Sequence, residues 1–133
     1  MANNMTSDQQ KVLNDMAEYG KHLQELAFEN TGKYVVAGYA GNSTETSKLY
    51  CYCGEGKGYK GAPLMPASAI AVVYTSKEAA ERKSSLLKYS NAYGERITLK
   101  AMPANEYYWL LFDETCRVMQ LAEQMAQEAN NRK

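Results

Sequence analysis

The sequence predicts an α+β fold in which two long helices, one at each end of the chain, pack on a mainly antiparallel sheet. Near both termini, apolar residues recur at spacings of three and four, as in helices with one buried face. Between Lys33 and Met102, several short runs alternate between apolar and polar residues, as half-buried strands do. With 133 residues and no repeat or low-complexity tract, the chain has the length of one domain.

The first predicted helix opens at a capping box in which Ser7 caps the helix and Gln10 reaches back to it. Gly20 lies inside this helix and weakens it. We expect residues 1–6 to be disordered and residues 7–130 to form the single domain.

The predicted order of elements is α-β-β-β-α-β-α, with four strands. These strands are Lys33–Ala40, Ser47–Cys53, Ala69–Thr75 and Arg96–Ala101. The third is apolar on both faces, which favours a central position. A short helix opens at the capping box Thr75–Glu78 and runs to about Tyr89, where Asn91–Gly94 ends it. The last helix runs from Pro103 to about Ala129. Two long helices on one face of the sheet are the simplest packing, and the pattern leaves the position of the short third helix open.

Charge is distributed unevenly along the chain, although the formal net charge is zero. The middle, Lys33–Met102, carries ten Lys or Arg and five Asp or Glu, a net charge of +5. Residues 1–32 carry −3 and residues 103–133 carry −2. This uneven charge affects which partners the protein can bind rather than its fold. It predicts that the partner of the basic middle segment has an acidic surface.

Tyrosine is the unusual component, with 11 Tyr against 2 Phe and 1 Trp. Tyr suits surfaces that are apolar in body and polar at the tip, as protein interfaces are. In the second strand, Lys48, Tyr50 and Tyr52 share the face opposite the apolar residues, and Arg96 and Lys100 point outward from the fourth strand. The predicted binding surface comprises Lys48, Tyr50, Tyr52, Lys57, Tyr59, Lys60, Arg96 and Lys100.

The loop Gly54–Pro66 contributes three of these residues. It contains four glycines and is long for a hairpin, and loops of this length are often functional. It does not follow the Gly-x-x-x-x-Gly-Lys-Ser/Thr pattern of a phosphate-binding loop, and no predicted helix follows it directly. The sequence therefore favours a contact role over nucleotide binding.

Catalytic and metal-binding patterns are weak. Cys51, Cys53, Cys116 and His22 supply the ligand types of a Cys₃His zinc site, but common zinc sites use turn-borne Cys-x₂-Cys pairs. Two cysteines on one face of a strand, next to Leu49, are typical of buried thiols that act as small apolar residues. We expect no cofactor and no metal.

We therefore expect a non-catalytic module that binds another protein stoichiometrically through this surface. One such module would be a phage or mobile-element inhibitor of a host defence complex, a role that the small size of the chain and its lack of catalytic motifs would suit. One alternative is a module that binds single-stranded nucleic acid, because Tyr rings stack on bases while Lys and Arg contact phosphates. A further alternative is an enzyme or zinc protein. No apolar run reaches membrane-spanning length, and no signal peptide is evident. An odd number of cysteines favours a cytoplasmic location. We expect the protein to be a monomer or a homodimer.

Overall fold

A computed structural model describes residues 5–58 and 61–131 of the chain. Its helices are α1 (Ser7–Glu29), α2 (Lys77–Leu86) and α3 (Ala104–Asn131). Its strands are β1 (Tyr34–Tyr39), β2 (Leu49–Tyr52), β3 (Leu64–Pro66), β4 (Val73–Tyr74), β5 (Tyr89–Ser90), β6 (Arg96–Ile97) and β7 (Lys100–Pro103). The predicted α+β class with long terminal helices is confirmed. None of the helices within these residues combines the length and apolar character that crossing a bilayer requires.

Strand β1 is the centre of a five-stranded antiparallel sheet. Along one edge, β1 pairs with β2 through residues 37–39 and with β4 through residues 34–35. Along the other edge it pairs with β7 through residues 34–37. The sheet continues beyond β2 with β3, which lies in the stretch that the sequence pattern assigns to a loop. Both edges of β1 are therefore occupied.

The predicted fourth strand, Arg96–Ala101, follows β1 in a single register. Val36 pairs with Ala101, and Ala40 pairs with Ile97. Each pair is separated from the other by four residues on both strands, as one antiparallel register requires. A break in the ladder between these two pairs divides the strand into β6 and β7. Beyond β6, β5 pairs with it to form a short hairpin.

Gly38 lies opposite this break. A Cβ atom at Gly38 would lie 1.9 Å from the carbonyl oxygen of Thr98 and 3.0 Å from the Cα of Leu99. Such distances are far below van der Waals contact, so the backbones can approach this closely only because residue 38 has no side chain.

The prediction of a central strand over Ala69–Thr75 is wrong, because only Val73–Tyr74 forms a strand. The backbone just before this run, at Ser68, is hydrogen-bonded to α3 instead. The Tyr107 hydroxyl donates a hydrogen bond to the Ser68 carbonyl (2.7 Å) and accepts one from the Ser68 N–H (2.8 Å). These bonds satisfy Ser68 outside the sheet, which explains why the apolar run that follows begins in a turn.

The start of α1 is one residue earlier than the capping box predicted from Ser7 and Gln10. Thr6 is the N-cap, and its hydroxyl accepts from the Gln9 N–H at 3.1 Å while the Gln9 side chain accepts from the Thr6 N–H at 2.9 Å. Thr6 belongs to the stretch predicted to be disordered, of which residues 1–4 lie outside the described residues.

One face of the sheet is covered by α1 and α3. Val35, Ala37 and Cys51 are fully buried on this face. Against them pack Leu23 of α1 and Tyr107 of α3, which are also fully buried. The predicted packing of both terminal helices on one face is thus confirmed.

The opposite face is covered by α2. Ala80 of α2 packs with Val36 and Tyr52, and all three are buried. The short helix therefore has the position that the sequence pattern left open, and it removes much of the second sheet face from solvent. A smaller cluster of Ala40 and Ile97 lies beside it, under the β5–β6 hairpin.

Substitution of two glycines should change stability in opposite directions. Gly38→Ala should lower the free energy of unfolding by about 2 kcal/mol or more, because its Cβ would overlap the Thr98 carbonyl. Gly20→Ala should raise it by about 0.5–1 kcal/mol, because a Cβ there meets Phe112 at an ordinary 3.5 Å and the helix loses a glycine. Urea denaturation of both variants measures this, and equal effects would contradict the close approach at Gly38.

Removal of the Tyr107 hydroxyl tests the link between α3 and Ser68. Tyr107→Phe should lower the free energy of unfolding by about 2 kcal/mol, since two partly buried backbone groups lose their partner. Tyr108→Phe is the matched control, because the Tyr108 ring is equally buried but its hydroxyl bonds to no other described residue. Similar losses in the two variants would show that the Ser68 bonds contribute little.

Candidate functional site

Tyr52 does not lie on an exposed surface, contrary to the prediction. It is only 7% exposed and packs beneath α2 with Val36 and Ala80. The ammonium group of Lys83 lies 4.7 Å from the centre of the Tyr52 ring, so α2 also covers the ring with a cation–π contact. Alternation along β2 correctly separates the two faces of the strand, but it carries no information about what covers them.

Lys100 and Tyr50 lie on opposite faces of the sheet. Ala37 pairs with both Lys100 and Cys51, and residues paired directly across an antiparallel ladder share a face. Lys100 is therefore on the side of α1 and α3, where it is exposed at the sheet margin. Tyr50 neighbours Cys51 in β2 and points to the other side. The predicted surface is thus not assembled as one patch.

The other described residues of the predicted surface lie on or next to the β5–β6 hairpin and the glycine-rich loop. Lys48 forms an ion pair with Glu95 at 3.4 Å. Lys57 and Arg96 are exposed. Tyr59 and Lys60 lie outside the described residues.

A mainly apolar cavity of about 270 Å³ opens beside Tyr50, and we call it the Tyr50 pocket. One wall is β2, β3 and the end of the glycine-rich loop, and the other is the β5–β6 hairpin. Its lining residues are Tyr50, Ala62, Leu64, Met65, Pro66, Tyr89, Ser90, Asn91, Ala92 and Ile97. The buried residues Leu64 and Ile97 give the cavity a packed base.

The hairpin wall is held by Asn91. Its side-chain oxygen accepts hydrogen bonds from the N–H groups of Tyr93 (3.0 Å) and Glu95 (2.9 Å). Its amide group donates to the Glu95 carboxylate at 3.0 Å. This Asx-type arrangement fixes the turn between two strands of only two residues each, which would be too short to persist by pairing alone.

The opposite wall depends on the close packing of the glycine-rich loop. The Gly58 N–H donates to the Ala62 carbonyl at 2.6 Å, and the Cys53 N–H donates to the Pro63 carbonyl at 2.8 Å. A Cβ at Gly58 would lie 2.1 Å from the Leu64 carbonyl oxygen, so glycine is required there. The described part of the loop is therefore a hydrogen-bonded connection between β2 and β3.

The pocket offers an apolar interior with two phenol groups. Tyr50 and Tyr89 are both partly exposed, and neither hydroxyl bonds to another residue among those that the structure describes. Both hydroxyls can therefore donate to or accept from a ligand. Lys88 and Arg96 are exposed on or beside the hairpin, but they line a separate cavity of about 180 Å³ with Ser84 and Leu87 rather than the Tyr50 pocket.

The cysteines have the properties of core residues. Cys51 and Cys53 are buried and free, and burial raises the pKa of both thiols, which keeps them protonated. Cys53 donates to the Pro63 carbonyl at 3.1 Å. His22 is exposed on α1. Within residues 5–58 and 61–131, no three His, Cys, Asp or Glu side chains are grouped to hold a metal ion.

No protein-family model matches the chain, and neither a curated protein nor a solved structure is significantly similar to it. Its function must therefore be inferred from its own residues.

Sequence reasoning found Tyr50 and the loop Gly54–Pro66, which supplies Ala62, Leu64, Met65 and Pro66, but it missed the hairpin wall of the pocket. The segment Asn91–Gly94, flanked by Tyr89 and Ile97, carries the composition of a tight turn between two strands. The helical pattern of α2 leads the prediction to extend the helix to about Tyr89, whereas the helix ends at Leu86. The turn signal was therefore present but was assigned to a helix end.

Acid pH should loosen the hairpin wall of the pocket. The hydrogen bond from Asn91 and the neighbouring Lys48 ammonium hold the pKa of the Glu95 carboxyl below its usual 4.5. The pKa of Glu95 is lower in the folded state than in the unfolded state. The ionised carboxylate therefore stabilises the fold fully above the unfolded-state pKa, and this stabilisation is lost as pH falls through the folded-state pKa. NMR titration of the Glu95 side chain measures this.

Asn91→Ala should raise the Glu95 pKa toward its usual value, because the largest cause of the shift is removed. Asn14→Ala, on the exposed side of α1, is the control and should leave it unchanged. If Glu95 titrated at its usual pH in the unmodified protein, the Asn91 bond would not be formed in solution.

Proposed function

We propose that the protein is a non-catalytic binding module that accepts an apolar side chain of a protein partner in the Tyr50 pocket. The observation that carries the proposal is the pocket itself. Its volume of about 270 Å³ is below the roughly 300–1,000 Å³ typical of small-molecule sites, but it can hold one or two side chains. Protein interfaces commonly place one aromatic or aliphatic anchor in such a pocket.

Exposed cations on or next to the two walls of the pocket favour an acidic partner, although none of them lines the pocket itself. Lys57 on the glycine-rich loop and Lys88 and Arg96 beside the hairpin are exposed, whereas Glu95 is already paired with Lys48. Exposed cations at the rim of an apolar contact accelerate association with an acidic surface more than they strengthen it. The predicted contributions of Lys57, Arg96 and Tyr50 to binding are retained in this proposal.

The inhibitor role suggested by the size of the chain stays a prediction, because no described residue identifies the partner. For single-stranded nucleic acid, Tyr52 cannot serve as a stacking surface while α2 covers it. The two partner classes are separated by the experiment below.

Filling the pocket should remove the partner. Ala92 is exposed at the mouth of the pocket, so Ala92→Trp places a large side chain there without disturbing the core. Tyr93→Trp is the matched control, since Tyr93 is the next residue, is 88% exposed and does not line the pocket. A partner captured by the unmodified protein should bind the Ala92→Trp variant at least about tenfold more weakly and the control unchanged.

The capture is run with and without nuclease, and the affinity of the purified partner is measured by calorimetry at two salt concentrations. Retention of the partner by the Ala92→Trp variant would exclude the pocket. Loss of all partners after nuclease treatment, with a steep fall of affinity in salt, would instead indicate nucleic acid.

A further inference from the structure

The two terminal helices extend well beyond the part that packs on the sheet. In residues 7–19 of α1 only Leu13 is buried, and in residues 112–131 of α3 no residue is buried. We call these two segments together the helical arm. They run antiparallel, since Gln9 near the start of α1 bonds to Asn130 near the end of α3 at 3.0 Å. The arm is a helix pair with a thin interface of its own.

Large apolar side chains are exposed along the arm. Val12 is 50% exposed, Leu121 47% and Met125 59%. Ala122 and Ala126 border a small apolar cavity between the helices together with Val12. On α3, Leu121 and Met125 precede these two alanines by one residue, which is a rotation of about 100° around the helix.

The same rotation applies on α1, where Val12 and Tyr19 directly precede the buried Leu13 and Gly20. In an antiparallel pair, rotation in the same sense from the contact line brings both helices to the same side. The exposed side chains of α1 and α3 therefore border one groove rather than two separate faces.

This groove is a continuation of the side that the sheet covers. Tyr19, at the inner end of the arm, lines a cavity with Leu49 of β2 and Pro66 of β3, as well as with Leu111 of α3. Further out along the arm the strands have ended, so the same side of the helix pair meets solvent. Half-exposed Val, Leu and Met on a two-helix groove are typical of a surface that receives a third helix.

Charge indicates the chemistry of that third helix. The arm carries seven acidic residues, Asp8, Asp15, Glu18, Asp113, Glu114, Glu123 and Glu128, against Lys11 and Arg117. Its net charge is therefore 2 − 7 = −5. Arg117 is also paired with Glu114, which leaves less positive charge available to a partner.

We propose that the groove of the helical arm docks an amphipathic helix of another protein whose flanks are basic. Residues 7–19 span about 20 Å at 1.5 Å per residue, which matches a partner helix of about 14 residues. This surface is distinct from the Tyr50 pocket and does not depend on the function proposed for it.

A second copy of the chain is the other possible occupant, and charge disfavours it. Two arms packed groove to groove would bring together two surfaces of net charge −5, and repulsion between like charges opposes that contact.

The proposal is tested with two synthetic 14-residue amphipathic helices, one of Leu and Lys and the other of the same pattern with Glu for Lys. In ¹⁵N NMR titrations, the Leu/Lys peptide should bind one to one and shift signals of the arm, and the Leu/Glu peptide should bind at least about tenfold more weakly. Equal binding of the two peptides, or shifts centred on the β5–β6 hairpin, would overturn the proposal.

The double variant Val12→Glu/Met125→Glu separates groove docking from simple attraction of a cationic peptide. It makes the arm more acidic, so a nonspecific contact would strengthen, whereas docking in the apolar groove should weaken at least about tenfold. Leu86→Glu is the matched control, since Leu86 is 77% exposed on α2. If the unmodified chain self-associated in sedimentation velocity and the double variant did not, the groove would belong to a second copy.

Discussion

The structure depends on the complete enclosure of β1. Both of its edges are paired, its Val35 and Ala37 side chains face α1 and α3, and its Val36 side chain faces α2. A strand enclosed in this way contributes apolar burial on both faces and has hydrogen-bonded neighbours along both edges. The cost for function is that neither face of β1 is available to a partner. Among the described residues, the two surfaces proposed for binding, the Tyr50 pocket and the helical arm, lie where the covering elements stop.

This enclosure explains which parts of the fold could be predicted from the sequence. Periodicity identified α1, α3 and the two faces of β2, because it reports which side chains share a side. It could not show that α2 covers Tyr52, because the contact with Ala80 joins distant parts of the chain. Nor could it find β3 and β5, which have only three and two residues and persist through pairing and the Asn91 turn.

The abundance of tyrosine has a more varied basis than an exposed binding face. Tyr107 is in the core because its hydroxyl satisfies both backbone groups of Ser68, which phenylalanine could not do. Tyr52 is beneath α2, where its ring contacts Lys83. Tyr50 and Tyr89, in contrast, place hydroxyls in an open pocket. Composition therefore indicated that phenols matter, and only the tertiary structure separates structural phenols from those available to a ligand.

The uneven charge of the sequence becomes a difference between the two free surfaces. Lys57, Lys88 and Arg96 are exposed on or next to the loop and the hairpin that form the walls of the Tyr50 pocket, whereas the arm has a net charge of −5. Opposite signs disfavour a single partner surface that could bind to both sites, since charges that suit one would be repelled by the other. The same signs would let the arm of one copy approach the pocket of another, and such a head-to-tail contact builds rings or open filaments rather than a twofold dimer. A partner helix in the groove would remove the apolar part of that contact, so occupation of the arm would also favour discrete complexes at the pocket.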